Sequence, residues 1–233
     1  MDTHEVMFLT FAGFAAIVAV IVIITRMEAR KRATALQTVA QEMGFQFVRE
    51  KWDPQLKGQQ IGTALFTGQS TPKFKNVMTG FAAGFETTLF DYSYSIDDGE
   101  SSRTFAQTVA AFRQDLWLPH FELRPEGLLD RIGEAFVHRD IDFDSHPDFS
   151  RRYFLRGTDQ AGVRKLFGPS LLTFLEQLPA DEKWHIEGNL TRLIIYQSDV
   201  EVEPGEFRSF LEKTTSIAKT FFNSPTGLSR PVR

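Results

Sequence analysis

The chain has 233 residues, 42% hydrophobic and 24% charged, with a formal net charge of −4 and no cysteine. These proportions exclude wholesale disorder, and the missing cysteines exclude a disulfide framework, thiolate chemistry and cysteine-bound zinc or iron–sulfur sites. The lack of net basic charge excludes the electrostatic footprint of a nucleic-acid binder.

The chain opens on Val6–Thr25, VMFLTFAGFAAIVAVIVIIT, 20 residues without a charge. As a helix rising 1.5 Å per residue, this stretch matches the ~30 Å hydrocarbon core of a bilayer. The preceding MDTHE carries no Lys or Arg and no A-x-A site follows directly, so the stretch is expected to remain as an anchor. Residues 1–25 are therefore expected to be an N-terminal segment and transmembrane helix. Ala12/Ala16 and Ala15/Ala19 are small-xxx-small pairs that suit a helix partner, which leaves a homodimer open. Residues 26–44 are expected to continue the helix out of the membrane, with Leu36, Val39, Ala40 and Met43 on one face and Gly44 as its cap.

Residues 45–222 read as one α+β unit. Lys73–Phe81 and Phe85–Ile96 read as strands around Ala82-Ala83-Gly84, with Phe90, Tyr92, Tyr94 and Ile96 on one face of the second. Asp97-Asp98-Gly99-Glu100 reads as a hairpin turn, Ser102–Phe112 as the returning strand and His120–Arg124 as a separate short strand. Pro125 is expected to start a helix with Leu128, Leu129, Ile132 and Phe136 buried. Asp140–Phe143 reads as a strand, Pro147-Asp148 as a turn and Tyr153–Arg156 as a strand. Thr158 is expected to cap a helix through Phe167, with another over Ser170–Leu178. Trp184–Glu187 and Arg192–Gln197 read as a hairpin across Gly188-Asn189. The last helix is expected over Gly205–Phe222, and residues 223–233 as a tail. The fold class is thus α+β: a single N-terminal transmembrane helix, then a mainly antiparallel sheet packed with helices.

The segments GFETTLFDYSYSI, RDIDFDSHPDFSRRYFLRGTDQAGVRKLFGPSLLTFLEQL and LTRLIIYQ carry a resemblance. Over roughly residues 33–222 the chain resembles a group of bacterial membrane-anchored proteins that share a domain of unknown function. The resemblance implies one anchored α+β unit and brings no catalytic residues with it.

Chemistry is sparse. The densest polar run is His138 to Asp148, with four carboxylates and two imidazoles. Oxygen ligands on Asp140, Asp142 and Asp144 suit calcium or magnesium, but Ser145 and Arg151 stand where an EF-hand loop needs Gly and Glu, so no metal is expected. His120 is a general-base candidate without a nucleophile nearby in sequence. No zinc-ligand spacing, nucleophile elbow or phosphate-binding glycine loop occurs, and no cofactor is expected. Arg26, Arg30, Lys31 and Arg32 form a juxtamembrane cluster suited to anionic head groups, and are the expected membrane-surface contacts.

The 23 phenylalanines predict an aromatic core, or alternatively a pocket for a lipid or small ligand. The leading expectation is a membrane-tethered, non-enzymatic domain for protein interaction or envelope assembly. A ligand-sensing domain with a Phe-rich pocket is the alternative, and a hydrolase using His120 or the Asp-rich segment ranks third. Its expected partners are the lipid bilayer and a protein, with no nucleic acid. The absence of Lys and Arg before the anchor and their presence after it predict a single-pass inner-membrane protein, its N-terminus outside and its C-terminal domain cytoplasmic.

Overall fold

The computed structural model describes residues 3–49, 63–66, 70–97, 99, 101–126 and 140–224. The expected helix after Pro125, the expected tail beyond Ser224, and His138 and Arg139 lie outside these residues.

Helix α1 runs unbroken over Thr3–Met43. No proline interrupts it, and Gly44 ends it at φ 73°. The Gly44 and Phe45 amides donate to the carbonyls of Gln41 and Ala40 at 3.1 and 2.8 Å, the pairing of a Schellman cap. Residues 11–31 are exposed throughout, whereas Ala33, Leu36 and Ala40 are buried. One helix is therefore a candidate membrane span at its start and a core element at its end.

Among the described residues the sheet has six antiparallel strands: β1 (Gln46–Val48), β2 (Ser70–Ala82), β3 (Phe85–Asp97), β4 (Ser102–Pro125), β5 (Tyr153–Gly157) and β6 (Trp184–Gln197). Ala83 and Gly84 both take positive φ between β2 and β3, matching the twist of a tight hairpin. Strand β4 is the spine. Residues 109–113 pair with both β3 and β6, and residues 121–123 with both β5 and β6. Strand β6 thus fills one edge while β3 and β5 share the other.

Two expectations change here. The segments 102–112 and 120–124 belong to one strand, and 184–197 is one strand rather than a hairpin. The side-chain alternation changes phase midway in both. Ala110, Phe112 and Leu118 face the helices before the register shift between Leu118 and Phe121, and Phe121 and Leu123 face them after it. Strand β6 makes the matching switch near Leu190, whose φ is 56°. Gly188 marks close packing instead of a turn: a Cβ there would lie 2.1 Å from the Phe121 ring.

The helix-side face carries the larger core. It takes Leu36 and Ala40 from α1, Phe149 from α2 (Pro147–Arg152), Val163 and Leu166 from α3 (Gln160–Leu166), and Leu171 and Leu175 from α4 (Pro169–Gln177). Helix α5 (Phe207–Asn223) adds Phe207, Phe210, Ile217 and Phe221. The phenylalanines fill this core by packing on each other. Phe121 stacks on Phe221 at 5.5 Å, and Phe167 meets both edge-on.

Smaller corrections follow from local hydrogen bonding. Asp159, not Thr158, caps α3, accepting from the Gly162 amide at 3.0 Å. Pro147 starts α2 instead of marking a turn, since its missing N–H costs nothing at a first helical position. Residues 140–143 are not a strand. Ile141 bonds the Leu155 carbonyl, but the Phe143 amide turns to the Ser150 hydroxyl, which ends the pairing.

Candidate functional site

The first candidate site lies where α1 joins the sheet. Arg32 faces Asp91 of β3, with Nε and Nη2 each donating to a carboxylate oxygen at 2.9 Å. Asp91 is 4% exposed and also accepts from Asn76 Nδ2 at 2.7 Å and the Thr108 hydroxyl at 3.0 Å. Thr108 extends the network: its hydroxyl accepts from the Val202 amide at 2.9 Å, and its own amide donates to the Val200 carbonyl. Asn76 adopts φ 51° at a bulge in β2, a conformation that asparagine tolerates better than most residues. Three segments thus converge on one carboxylate of a fourth, and a fifth, Val200–Val202, joins through Thr108. A bidentate Arg–carboxylate pair with every acceptor used is geometrically demanding, and removing one partner of such a pair costs on the order of 3–5 kcal/mol.

The expected membrane-surface cations separate here. Arg26, Arg30 and Lys31 are exposed on α1, whereas Arg32 turns inward to Asp91 and lies over the Phe207 ring at 5.9 Å. Beside this clamp opens a cleft of about 1090 Å³ between α1 and the sheet, running from Thr25 and Arg26 down to Asn76 and Asp91. Its lining holds no phenylalanine. Glu201 stands in it, and burial, then the Asp91 charge, push its carboxyl up, against Arg32 and Lys75.

A second buried polar group occupies the opposite face of the sheet. Phe90, Tyr92, Tyr94, Phe105, Val109, Ile194 and Tyr196 form a smaller core there, covered by Leu65 and Phe66 of a 3-10 turn, Ala64–Phe66. Tyr92 and Tyr94 are therefore buried beneath a single 3-10 turn. At the end of this core Glu187, 1% exposed, accepts from the Tyr196 hydroxyl at 2.9 Å and the Leu65 amide at 3.2 Å. Burial, then the neighbouring Glu122, push the Glu187 carboxyl up to about 7, although the Tyr196 and Leu65 hydrogen bonds oppose this. His185 stacks on Tyr196 at 4.8 Å, and burial, helped by Arg124, pushes its imidazole down to about 4. Glu122 itself is held by Arg156 at 2.6 Å.

The other sequence candidates take structural positions. Asp140 accepts from the Leu155 amide at 2.9 Å, and the Asp142 carbonyl accepts from Arg164 at 2.7 Å. His146 faces Glu176 at 3.1 Å, and Glu176 also accepts from the Phe149 amide. His120 lies within β4. Among the described residues no group of three or more His, Asp or Glu is placed to hold a metal ion. Sequence reasoning missed both Asp91 and Glu187. Each sits in an alternating strand at a position where a carboxylate reads as solvent-facing.

These features define an α+β protein with one N-terminal candidate membrane helix. No family model matches the chain, and no curated protein matches it. Among solved structures it is similar to the mycobacterial trehalose monomycolate transport factor A, TtfA, with a TM-score of 0.53 and 14% identity over 82% of this chain and 96% of that one. At that identity the likeness is one of fold.

Glu187 and His185 make opposite contributions to the pH dependence of stability. Glu187, ordinarily 4.5 and raised to about 7, favours the fold fully below 4.5, and that contribution is lost as pH rises towards 7. His185, ordinarily 6.5 and lowered to about 4, favours the fold above 6.5, and that contribution is lost as pH falls towards 4. Glu187→Gln keeps an acceptor for Leu65 and Tyr196 and removes only the first term. Denaturant melts of the full chain in detergent are expected to show greater stability than the parent at neutral pH and a steeper loss on acidification. Coincident pH profiles would contradict the assignment.

Proposed function

We propose that the protein is a single-pass inner-membrane module, a non-enzymatic cytoplasmic domain that contacts another protein during envelope assembly. The continuity of α1 carries this reading. The same helix that is exposed and apolar up to Thr25 is buried from Ala33 and clamped by Asp91. Such a domain is a rigid extension of its anchor, suited to holding a contact surface at a fixed height. The fold shared with a mycobacterial trehalose monomycolate transport factor supports the envelope role, and the resemblance to the bacterial membrane-anchored group fits the same picture. Arg26, Arg30 and Lys31 lie against anionic head groups in this account, and Arg32 serves the clamp. The alanine pairs of the anchor remain available for a second copy.

The contact surface we favour is the β2–β3 hairpin. Phe81 at its tip is 75% exposed. The adjoining Gly80 packs under Phe45, directly after α1, so the hairpin lies roughly 27 Å along the helix from Thr25, on the side away from the bilayer. With a photoreactive phenylalanine analogue in place of Phe81, illumination of intact cells is expected to give a discrete protein adduct that the same analogue at exposed Lys219 does not give. Equal adducts from both positions would remove the hairpin as the contact.

The orientation has its own test. Single cysteines are introduced as Thr3→Cys and Ser229→Cys, and intact cells are treated with a membrane-impermeant thiol reagent given access to the outer face of that membrane. Thr3→Cys is expected to react before lysis and Ser229→Cys only after it. The reverse order would place the domain outside and remove the cytoplasmic partner with it.

A further inference from the structure

The cleft beside the clamp has a composition that the clamp does not require. Five of its lining residues are cations besides Arg32: Arg26, Arg30 and Lys31 on α1, and Arg49 and Lys75 on the sheet side. Two separate elements therefore bring positive charge to one space. The sheet-side pair is built in, because the Asn76 amide donates to the Arg49 carbonyl at 3.1 Å. That bond, at the positive-φ bulge of Asn76, fixes the backbone of Arg49 beside that of Lys75.

Three carboxylates outside the clamp, Glu28, Glu201 and Glu203, line the same space. The surplus is positive, yet the site also offers acceptors. This mixture suits a ligand that carries an anionic group together with hydroxyl donors. The height of the cleft narrows the choice. Its rim is Thr25 and Arg26, where the apolar stretch ends, and its floor is Asp91 and Asn76. A cavity opening at that level meets lipid head groups before it meets bulk water, and concave low-dielectric walls concentrate the field of the cations lining them.

We propose that this cleft binds the head group of an anionic phospholipid, its phosphate between the cations of α1 and the Arg49–Lys75 pair and its hydroxyls on Glu201 and Glu203. The inference rests on α1 being a membrane anchor and is independent of which side the domain occupies, since the cleft travels with the helix. It assigns Arg49 and Lys75, far in sequence from the anchor, to the membrane-facing machinery. It also links lipid binding to the clamp, because Arg32 and Asp91 both line the cleft.

The test uses the full chain in a non-ionic detergent, titrated with dioctanoyl phosphatidylglycerol, dioctanoyl phosphatidylcholine or inorganic phosphate, with melting temperature as the readout. A ligand bound to the native state raises the melting temperature saturably. Phosphatidylglycerol is expected to do so, and the other two are not. Lys75→Ala and Arg49→Ala, both exposed positions, are each expected to weaken the response roughly fivefold, the loss of one cation at an anionic surface, without changing the melting temperature of the ligand-free protein. An equal rise with phosphatidylcholine would overturn the charge selection. An equal rise with phosphate would replace the lipid by a free anion, and titrations unchanged in both variants would remove the site from the cleft. A reversed topology with these results intact would contradict the cytoplasmic function and leave the lipid site standing.

Discussion

The structure depends on one ion pair. Arg32 lies seven residues past Thr25, where the apolar stretch ends, and Asp91 lies in the middle of β3. Their bidentate contact joins α1 to the sheet. The pair is costly to desolvate, and isolated buried pairs seldom add net stability. Its value here is positional. Asp91 also gathers Asn76 and Thr108, and Thr108 gathers the chain at Val200 and Val202 that leads into α5. A hydrophobic replacement of similar volume would fill the space without fixing the rotation of α1, since apolar contacts are non-directional. The clamp therefore specifies how the candidate membrane helix meets the domain, whereas Leu36 and Ala40 only require that it meet it.

The sheet that receives this helix is asymmetric. One face carries the Phe-rich core and all the described α-helices that pack on the sheet. The other carries a thin aromatic layer under a 3-10 turn, with Glu187 anchoring that turn by its backbone. Strand β4 serves both faces along 24 residues, and the shared phase switch with β6 keeps a single helix-side core along its length. A bulge is the economical way to do this, since one displaced residue exchanges the two faces.

Much of this was legible in the sequence. The long apolar N-terminal helix, its continuation into the domain, Gly44 as the cap, the β2–β3 hairpin and the apolar stripe of the last helix all follow from charge, period and glycine chemistry. Of Phe207, Phe210, Leu211, Ile217 and Phe221, which their spacing places along one side of that helix, all are buried except the half-buried Leu211. The strands at 102–125 and 184–197 were split because local alternation carries no information across a phase change. Gly188 was read as a turn because a glycine needed for close approach to Phe121 and one needed for positive φ look identical in a single chain. Asp91 was hidden for a related reason. An alternating strand assigns it to the solvent face, whereas Phe85 and Leu89 on the same face join the helix-side core and α1, 59 residues away in sequence, brings Arg32 onto Asp91.

The central claim is that anchor and domain form one rigid body through Arg32 and Asp91. The chain has no native cysteine, so Met27→Cys and Ser216→Cys, both exposed, accept spin labels without background. Dipolar distance measurement on the full chain in lipid nanodiscs tests the claim most directly. The account predicts one narrow distance distribution that broadens when Asp91→Ala is added. A broad distribution in the parent, or a width unaffected by Asp91→Ala, would contradict it.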